Sequence, residues 1–203
     1  NKFGKTSPTR AEHVRAEFKD EKVFVVDGGD CNIGIESTVL LVKEKSDGTE
    51  LAVLRKGAIL QQDIEKVLLK TGLPFKFIET VDKKESPGHM KHHYMPPIPF
   101  ILCKSDKKSL EEILEEVNSK IMQLPDEVES IKIIKPKSGI KNAEVLNLSS
   151  DPVLASREFY NSLRDSAQRG KDCIIFYKTQ LHDGARWEPL FDRLTKAASI
   201  VIE

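Results

Sequence analysis

The sequence predicts an α/β protein in two parts, residues 1–78 and 100–203, joined by a proline-rich linker over 79–99. Three observations carry this. Beyond residue 100, short apolar runs alternate with longer amphipathic stretches, the pattern of strand–helix units in a mostly parallel, three-layer domain. Before residue 79, two apolar runs flank an Asp-Gly turn, the pattern of a hairpin. Between the two parts, Pro87, Pro96, Pro97 and Pro99 with Gly88 exclude a regular helix or central strand.

In order, residues 7–20 read as a helix, with Ser7-Pro8-Thr9 at its start and Thr9 and Glu12 at capping-box spacing. Residues 23–26 are a short apolar run, broken by Asp27-Gly28-Gly29-Asp30. Residues 37–42 and 51–54 read as strands, with Ser46-Asp47-Gly48-Thr49 supplying the turn between them. A helix is expected over 61–70, stopped by Gly72 and Pro74, then a strand over 75–78. After the linker the expected series is strand 100–103, helix 110–122, strands 131–134 and 144–148, helix 152–168, strand 172–177, helix 188–198 and strand 200–202. Gly170 ends the longest helix, and Trp187 reads as a packing residue at the start of the last one.

Composition narrows the function. Of 203 residues, 39% are hydrophobic and 32% charged, a globular balance with enough apolar side chains for a core. The 32 Lys and Arg equal the 32 Asp and Glu, which argues against a wholly basic nucleic-acid footprint and leaves room only for a local patch. No apolar run approaches the ~18–20 residues of a membrane helix, and no charged-then-apolar leader is visible. Cys31, Cys103 and Cys173 are odd in number and far apart, with neither metal-ligand nor disulfide-framework spacing, so a reducing cytoplasm is expected.

Four segments invite a functional reading, and each has a plainer one. Residues 27–39 set three glycines before a strand carrying Ser37-Thr38; backbone N–H groups there suit an anion, but phosphate loops lead into helices, so the bare pattern reads as a connecting loop. Residues 1–9 form a hydroxyl-rich approach to a helix, an anion site or an ordinary N-cap. Arg55, at a strand end beside Gly57, has the donor fork to clamp a phosphate, though most arginines are simply solvated. In the linker, His89, His92 and His93 fall within five residues, without the cysteine or carboxylate pair that would complete a zinc set; a nucleotide-facing loop suits them better. Arg157, Arg164 and Arg169 on one helix, with Arg193 and Lys196 on another, read as solvated faces, since no aromatic series accompanies them.

Separately weak, these signals are specific in their order. Asn-x-x-Gly-x-x-Ser-Pro-Thr with Ala-Glu-His-Val, then Asp-Gly-Gly, Gly-Ile-Glu-Ser-Thr-Val, Leu-Arg-x-Gly-Ala-Ile, Ser-Pro-Gly and His-Tyr-x-Pro together resemble the threonylcarbamoyl-AMP synthase (Sua/YciO/YrdC) family in its longer, two-domain form. The likeness is specific over residues 1–97 and fainter at 145–148 and 192–198. It implies the C-terminal part of a YrdC-like twisted mixed sheet over 1–78, a linker over 79–99 that acts as a lid, and a small Rossmann-like α/β domain over 100–203. It also implies that the phosphate clamp and threonine pocket of the family lie upstream of Asn1, outside this sequence.

The family joins L-threonine, bicarbonate and ATP into threonylcarbamoyl-AMP and pyrophosphate, with Mg²⁺ on the polyphosphate. It passes the product to transferase proteins that modify adenosine in tRNA. The resemblance assigns Asn1, Ser7, Arg55, His93 and Tyr94 to ATP, and Ser37 and Thr38 to threonine, and it calls for no side-chain nucleophile or resident metal. Any contact with tRNA would be indirect, and none with a membrane is implied. The linker departs from the common pattern: Ser86-Pro87-Gly88 is followed by His89-Met90, and Lys91-His92 precedes His93-Tyr94. The competing readings are a non-catalytic nucleotide- or RNA-binding regulator on the same scaffold, and a role for residues 100–203 as a docking domain for the downstream transferase.

Overall fold

A computed structural model describes residues 1–79, 92–128 and 131–203. Helix α1 (Ala11–Glu17) is shorter than its sequence signals suggest. The Thr9–Glu12 capping box does not form; the Thr9 N–H donates to His13 Nδ1 at 3.1 Å, and Arg10 stays extended at φ −141°. The cause is tertiary. Residues 4–9 are drawn away by backbone bonds from Met95 N–H to Gly4 (3.1 Å) and from Cys31 N–H to Thr9 (3.0 Å).

Strands β1 (Val39–Lys45) and β2 (Gly48–Arg55) form the expected antiparallel hairpin, with Lys45 opposite Gly48 and Val39 opposite Arg55. Gly48, at φ 141°, supplies the turn conformation that side chains resist. Helix α2 (Gln61–Leu68) runs into a 3₁₀ turn, Leu69–Thr71, and stops at left-handed Gly72. Strand β3 (Phe75–Phe77) then pairs parallel to β2, giving a mixed sheet in the order β1-β2-β3. The apolar run at 23–26 lies in no strand, and Phe24 is 97% exposed.

The second sheet is wholly parallel. Strands β4 (Phe100–Cys103), β7 (Ala143–Val145), β8 (Cys173–Tyr177) and β9 (Ile200–Ile202) stand in the order β7-β8-β4-β9. Every residue of β4 is buried because helices cover both faces. Ile101 and Cys103 pack with Ile113, Val117 and Ile121 of α3 (Leu110–Ile121). Phe100 and Leu102 point the other way, onto α4 (Pro152–Ala167) and α5 (Glu188–Ala197) through Phe159, Leu163, Leu190 and Leu194. The three-layer α/β reading therefore holds. Between α3 and β7, the expected strand at 131–134 is only β6 (Ile131–Lys132), paired with β5 (Glu127–Val128). Helix α4 begins where Asp151 Oδ1 accepts from Val153 and Leu154 N–H at 2.9 and 2.8 Å, with Pro152 in the first turn.

The loop ahead of β1 lies directly on this second unit. Ile35 and Tyr94 join the α4–α5 side of its core. At Gly34 a Cβ would stand 2.2 Å from the Arg157 carbonyl oxygen and 2.4 Å from that of Ser156, so only glycine lets the loop approach α4 so closely. Among the described residues no helix is long and apolar enough to cross a membrane.

Candidate functional site

The site is built where the loop ahead of β1 meets the end of β2. Antiparallel pairing sets Arg55 opposite Val39, two residues past Ser37. The half-buried Arg55 side chain turns onto that loop: Nε donates to the Ser37 carbonyl at 2.9 Å and Nη2 to Ser37 Oγ at 3.1 Å. Thr38 Oγ1 donates to the Ile59 carbonyl at 2.6 Å. The two segments can close up because of Gly57, where a Cβ would meet Thr38 N at 2.2 Å and the Ser37 carbonyl carbon at 2.5 Å. Ser37 is exposed, so a hydroxyl held by an arginine faces solvent.

Beneath Ser37 lies a polar knot around Glu36. Its carboxylate accepts from Ser7 Oγ at 2.6 Å, from the Tyr160 hydroxyl at 2.9 and 3.1 Å, and from Arg193 Nε at 3.0 Å. Arg193 has no exposed surface at all. Its remaining donors go to the Lys56 carbonyl, to Asp192 Oδ2 at 3.1 Å and, more weakly, to the Pro189 and Glu36 carbonyls at 3.4 Å. Burial pushes the Glu36 carboxyl up, but the hydrogen bonds from Ser7 and its own backbone, with the charge and bond of Arg193, outweigh burial and hold it below the ordinary value. Burial disfavours the Arg193 cation, but the charge and hydrogen bond of Glu36, with smaller contributions from Tyr160 and Asp192, outweigh it. Burial, then the Glu36 charge, raises the Tyr160 hydroxyl well above its usual value.

The last described part of the linker closes one side. Tyr94 is buried at φ 67°, a left-handed conformation unusual for a tyrosine. It is held there from several directions: its carbonyl accepts from Thr6 Oγ1 at 3.2 Å and its ring packs on Tyr160 at 5.4 Å. On either side of it, the His93 N–H donates to the Lys196 carbonyl at 2.8 Å and the Met95 N–H to that of Gly4. Burial lifts the Tyr94 hydroxyl to about 12; Glu36 adds to the rise while Arg193 and Arg55 oppose it, so the ring lies within the field of the knot. His93 meets Tyr94 edge-on at 4.0 Å and Phe3 at 6.2 Å.

The seven residues singled out in the sequence are thus unevenly joined. Ser37, Thr38 and Arg55 form one cluster, Ser7 touches it through Glu36, and His93 and Tyr94 flank it. Asn1 is exposed and donates to the Lys5 carbonyl within its own loop, at 2.5 Å. The Ser86-Pro87-Gly88 segment, His89, Met90 and Lys91 lie outside the described residues. Among those described, no group of three His, Cys, Asp or Glu side chains could hold a metal ion.

The solvated-face reading of the α4 and α5 cations fails at two positions. Arg193 is the buried partner of Glu36, and half-buried Arg164 donates to the Thr6 carbonyl. A signal was available. On α5, Arg193 shares one helical stripe with Leu190, Leu194 and Ala197, all buried, and Tyr160 on α4 likewise follows Ser156 and precedes Leu163. A charged residue inside an apolar stripe needs a buried counter-charge.

Comparison with known proteins adds the family. The family model for the C-terminal domain of threonylcarbamoyl-AMP synthase matches residues 59–199. A threonylcarbamoyl-AMP synthase of Pyrococcus abyssi is 30% identical over 177 residues, covering 86% of this chain and 49% of that protein. One of Bacillus subtilis is 33% identical over 116 residues, 57% of this chain and 32% of the relative. One of Schizosaccharomyces pombe is 25% identical over 227 residues, the whole of this chain and 52% of the relative. The chain therefore spans about half or less than half of the length of these relatives, between 32% and 52%. The crystal structure of P. abyssi Sua5 complexed with L-threonine superposes with a TM-score of 0.66 at 24% identity, over 100% of this chain and 58% of that one, a likeness of fold. A P. abyssi Sua5 variant with a histidine and a tyrosine replaced by alanine gives 0.60 at 21%, over 98% and 54%. With more than half of its length matched by that one family model, the chain belongs to the threonylcarbamoyl-AMP synthase family.

Proposed function

We propose that the complete polypeptide carrying this chain is an L-threonylcarbamoyladenylate synthase. The observation that carries the reading is the convergence of Arg55 on Ser37, backed by the Glu36 knot, in a chain of this family. In the reaction, the threonine nitrogen bonds to the bicarbonate carbon with loss of water. A carbamate oxygen then attacks the α-phosphorus of ATP, and the bond to the pyrophosphate oxygen breaks. The chemistry needs positioning and charge compensation rather than a nucleophilic side chain. Ser37 and Thr38 are assigned to threonine, and Arg55, Ser7, Asn1, His93 and Tyr94 to the nucleotide. Residues 1–78 then form the later part of the catalytic domain, 79–99 a lid that keeps water from a hydrolysable adenylate, and 100–203 a separate α/β unit.

Mg²⁺ would accompany the ATP polyphosphate and supply charge compensation there. Glu36 does not fit as its ligand, because both carboxylate oxygens are already engaged by Ser7, Tyr160 and Arg193. The product would go to a tRNA-modifying transferase in the cytoplasm, with tRNA contacted only indirectly. The test is pyrophosphate release from ATP by the complete polypeptide, with mass detection of threonylcarbamoyl-AMP. Release that requires both threonine and bicarbonate is expected. Nucleotide binding without such release would replace the synthase by a binding regulator.

A further inference from the structure

The Glu36 knot joins parts of the chain more than 120 residues apart, the Tyr160–Glu36 separation being 124 and the Arg193–Glu36 separation 157. Glu36 is the neighbour of Ser37, and Lys56 is the neighbour of Arg55. One guanidinium reaches both: Nε holds the Glu36 carboxylate and Nη1 the Lys56 carbonyl. Because the fork is planar and rigid, it fixes the spacing between its two acceptors. Tyr160, bonded to both Glu36 oxygens, and Ser7 on one of them stop the carboxylate from turning. A buried ion pair is weak evidence of stabilisation, since an apolar pair of like volume often does as well. What it supplies here is geometry at the two chain segments that carry Ser37 and Arg55.

We infer that Arg193 of α5 and Tyr160 of α4 are positioning residues for the substrate-binding loop: through Glu36 and the Lys56 carbonyl they set the register of Ser37 against Arg55. The parallel-sheet unit thus completes the site from outside the β1–β2 hairpin. This rests on the synthase reading for its kinetic consequence, and not for its structural one.

The experiment uses three variants of the complete polypeptide. Arg193→Lys keeps the charge and loses the fork. Tyr160→Phe removes one hydroxyl from a packed ring and keeps the fold where the first variant fails to. Glu188→Gln breaks the exposed Lys56–Glu188 pair (2.6 Å), which links the same elements without touching Glu36. Two readouts are taken: steady-state pyrophosphate release against threonine, and hydrogen exchange of peptides spanning 36–38 and 55–57 at a temperature where each variant is folded. Arg193→Lys should raise the threonine KM about tenfold and Tyr160→Phe about threefold, the size of one displaced charge-assisted hydrogen bond and of a weaker one. In both, kcat should change less than KM and both peptides should exchange faster. Glu188→Gln should match the parent. Unchanged KM and exchange in Tyr160→Phe, or an equal effect from Glu188→Gln, would overturn the inference. A parent without threonine-dependent release overturns the synthase reading instead, and the exchange data then decide the positioning role alone.

Discussion

Gly57→Ala tests the site at its tightest point. The added Cβ would lie 2.2 Å from Thr38 N, 2.5 Å from the Ser37 carbonyl carbon and 2.8 Å from the Glu36 carbonyl oxygen. Ordinary contact begins at 3.4 Å, so the closest approach is short by about 1.2 Å. All three obstacles are backbone, so no rotamer change relieves them and one segment must move by about 1 Å. The Arg55–Ser37 bonds, at 2.9 and 3.1 Å, have little reserve before they pass the ~3.2 Å limit of an N–H···O bond. Overpacking of this kind costs about 1–3 kcal/mol. In a chain of this size that lowers Tm by about 2–12 °C. Circular dichroism melts read the stability, and calorimetric titration of the complete polypeptide with threonine reads the site. Affinity should fall about tenfold, the value of one hydrogen bond to a charged group. Gly28→Ala is the control: a Cβ there meets nothing within 4 Å, and stability should stay within about 0.5 kcal/mol. If Gly57→Ala melts and binds like the parent, close contact between residues 36–38 and Gly57 is not required and the argument for the site's geometry is refuted.

Three further outcomes are expected. Glu36 has a folded-state pKa below its ordinary 4.5, so its contribution is present above that value and is lost as pH falls through the folded pKa. In urea titrations the parent should exceed Glu36→Gln in stability at pH 6–7 by about 1–3 kcal/mol, and a gap that does not narrow below pH 4.5 would contradict the assignment. Asp151→Ala should cost about 1 kcal/mol of stability, with Asp151→Asn nearly neutral, because either Asp or Asn can accept from the first-turn N–H groups of α4. Brief alkylation followed by mass analysis should modify Cys31, which is exposed, and spare buried Cys103 and Cys173 until the protein is unfolded; burial pushes the Cys173 thiol up to about 12.

What the sequence made legible follows from how local each cause is. Strands β4 and β9 fall where their apolar runs do, because a strand covered on both faces leaves an unbroken apolar signature. Helix α4 was readable from Asp151-Pro152 to Gly170, a cap, a starter and a stop within one segment. Helix α1 was misread at its start because the competing partners of residues 4–9 are Met95, Cys31 and Arg164, none of them local. The candidate site residues are singled out by the order of motifs, not by any one of them. What stayed hidden was the knot that holds them.

That difference has a physical reason. A motif advertises groups that face a ligand, whereas a positioning group is visible only through what it touches. Ser37 and Arg55 are separated by 18 residues and joined by a hairpin, so both fall within the ordered run of motifs that singles them out, although neither does so alone. Arg193 lies in a helix beside the half-buried Asp192–Lys196 pair at 2.9 Å, and the charged composition of that helix alone suggests a solvated surface. Only the 3.6-residue period moves it inward, among Leu190, Leu194 and Ala197. Once inside, a guanidinium that cannot lose its proton must find an anion, and beyond its own neighbour Asp192 it reaches the half-buried carboxylate between Ile35 and Ser37. The position of Ser37 is then a property of the whole fold: the hairpin brings Arg55 to it, and the helices of the other sheet decide where it stands.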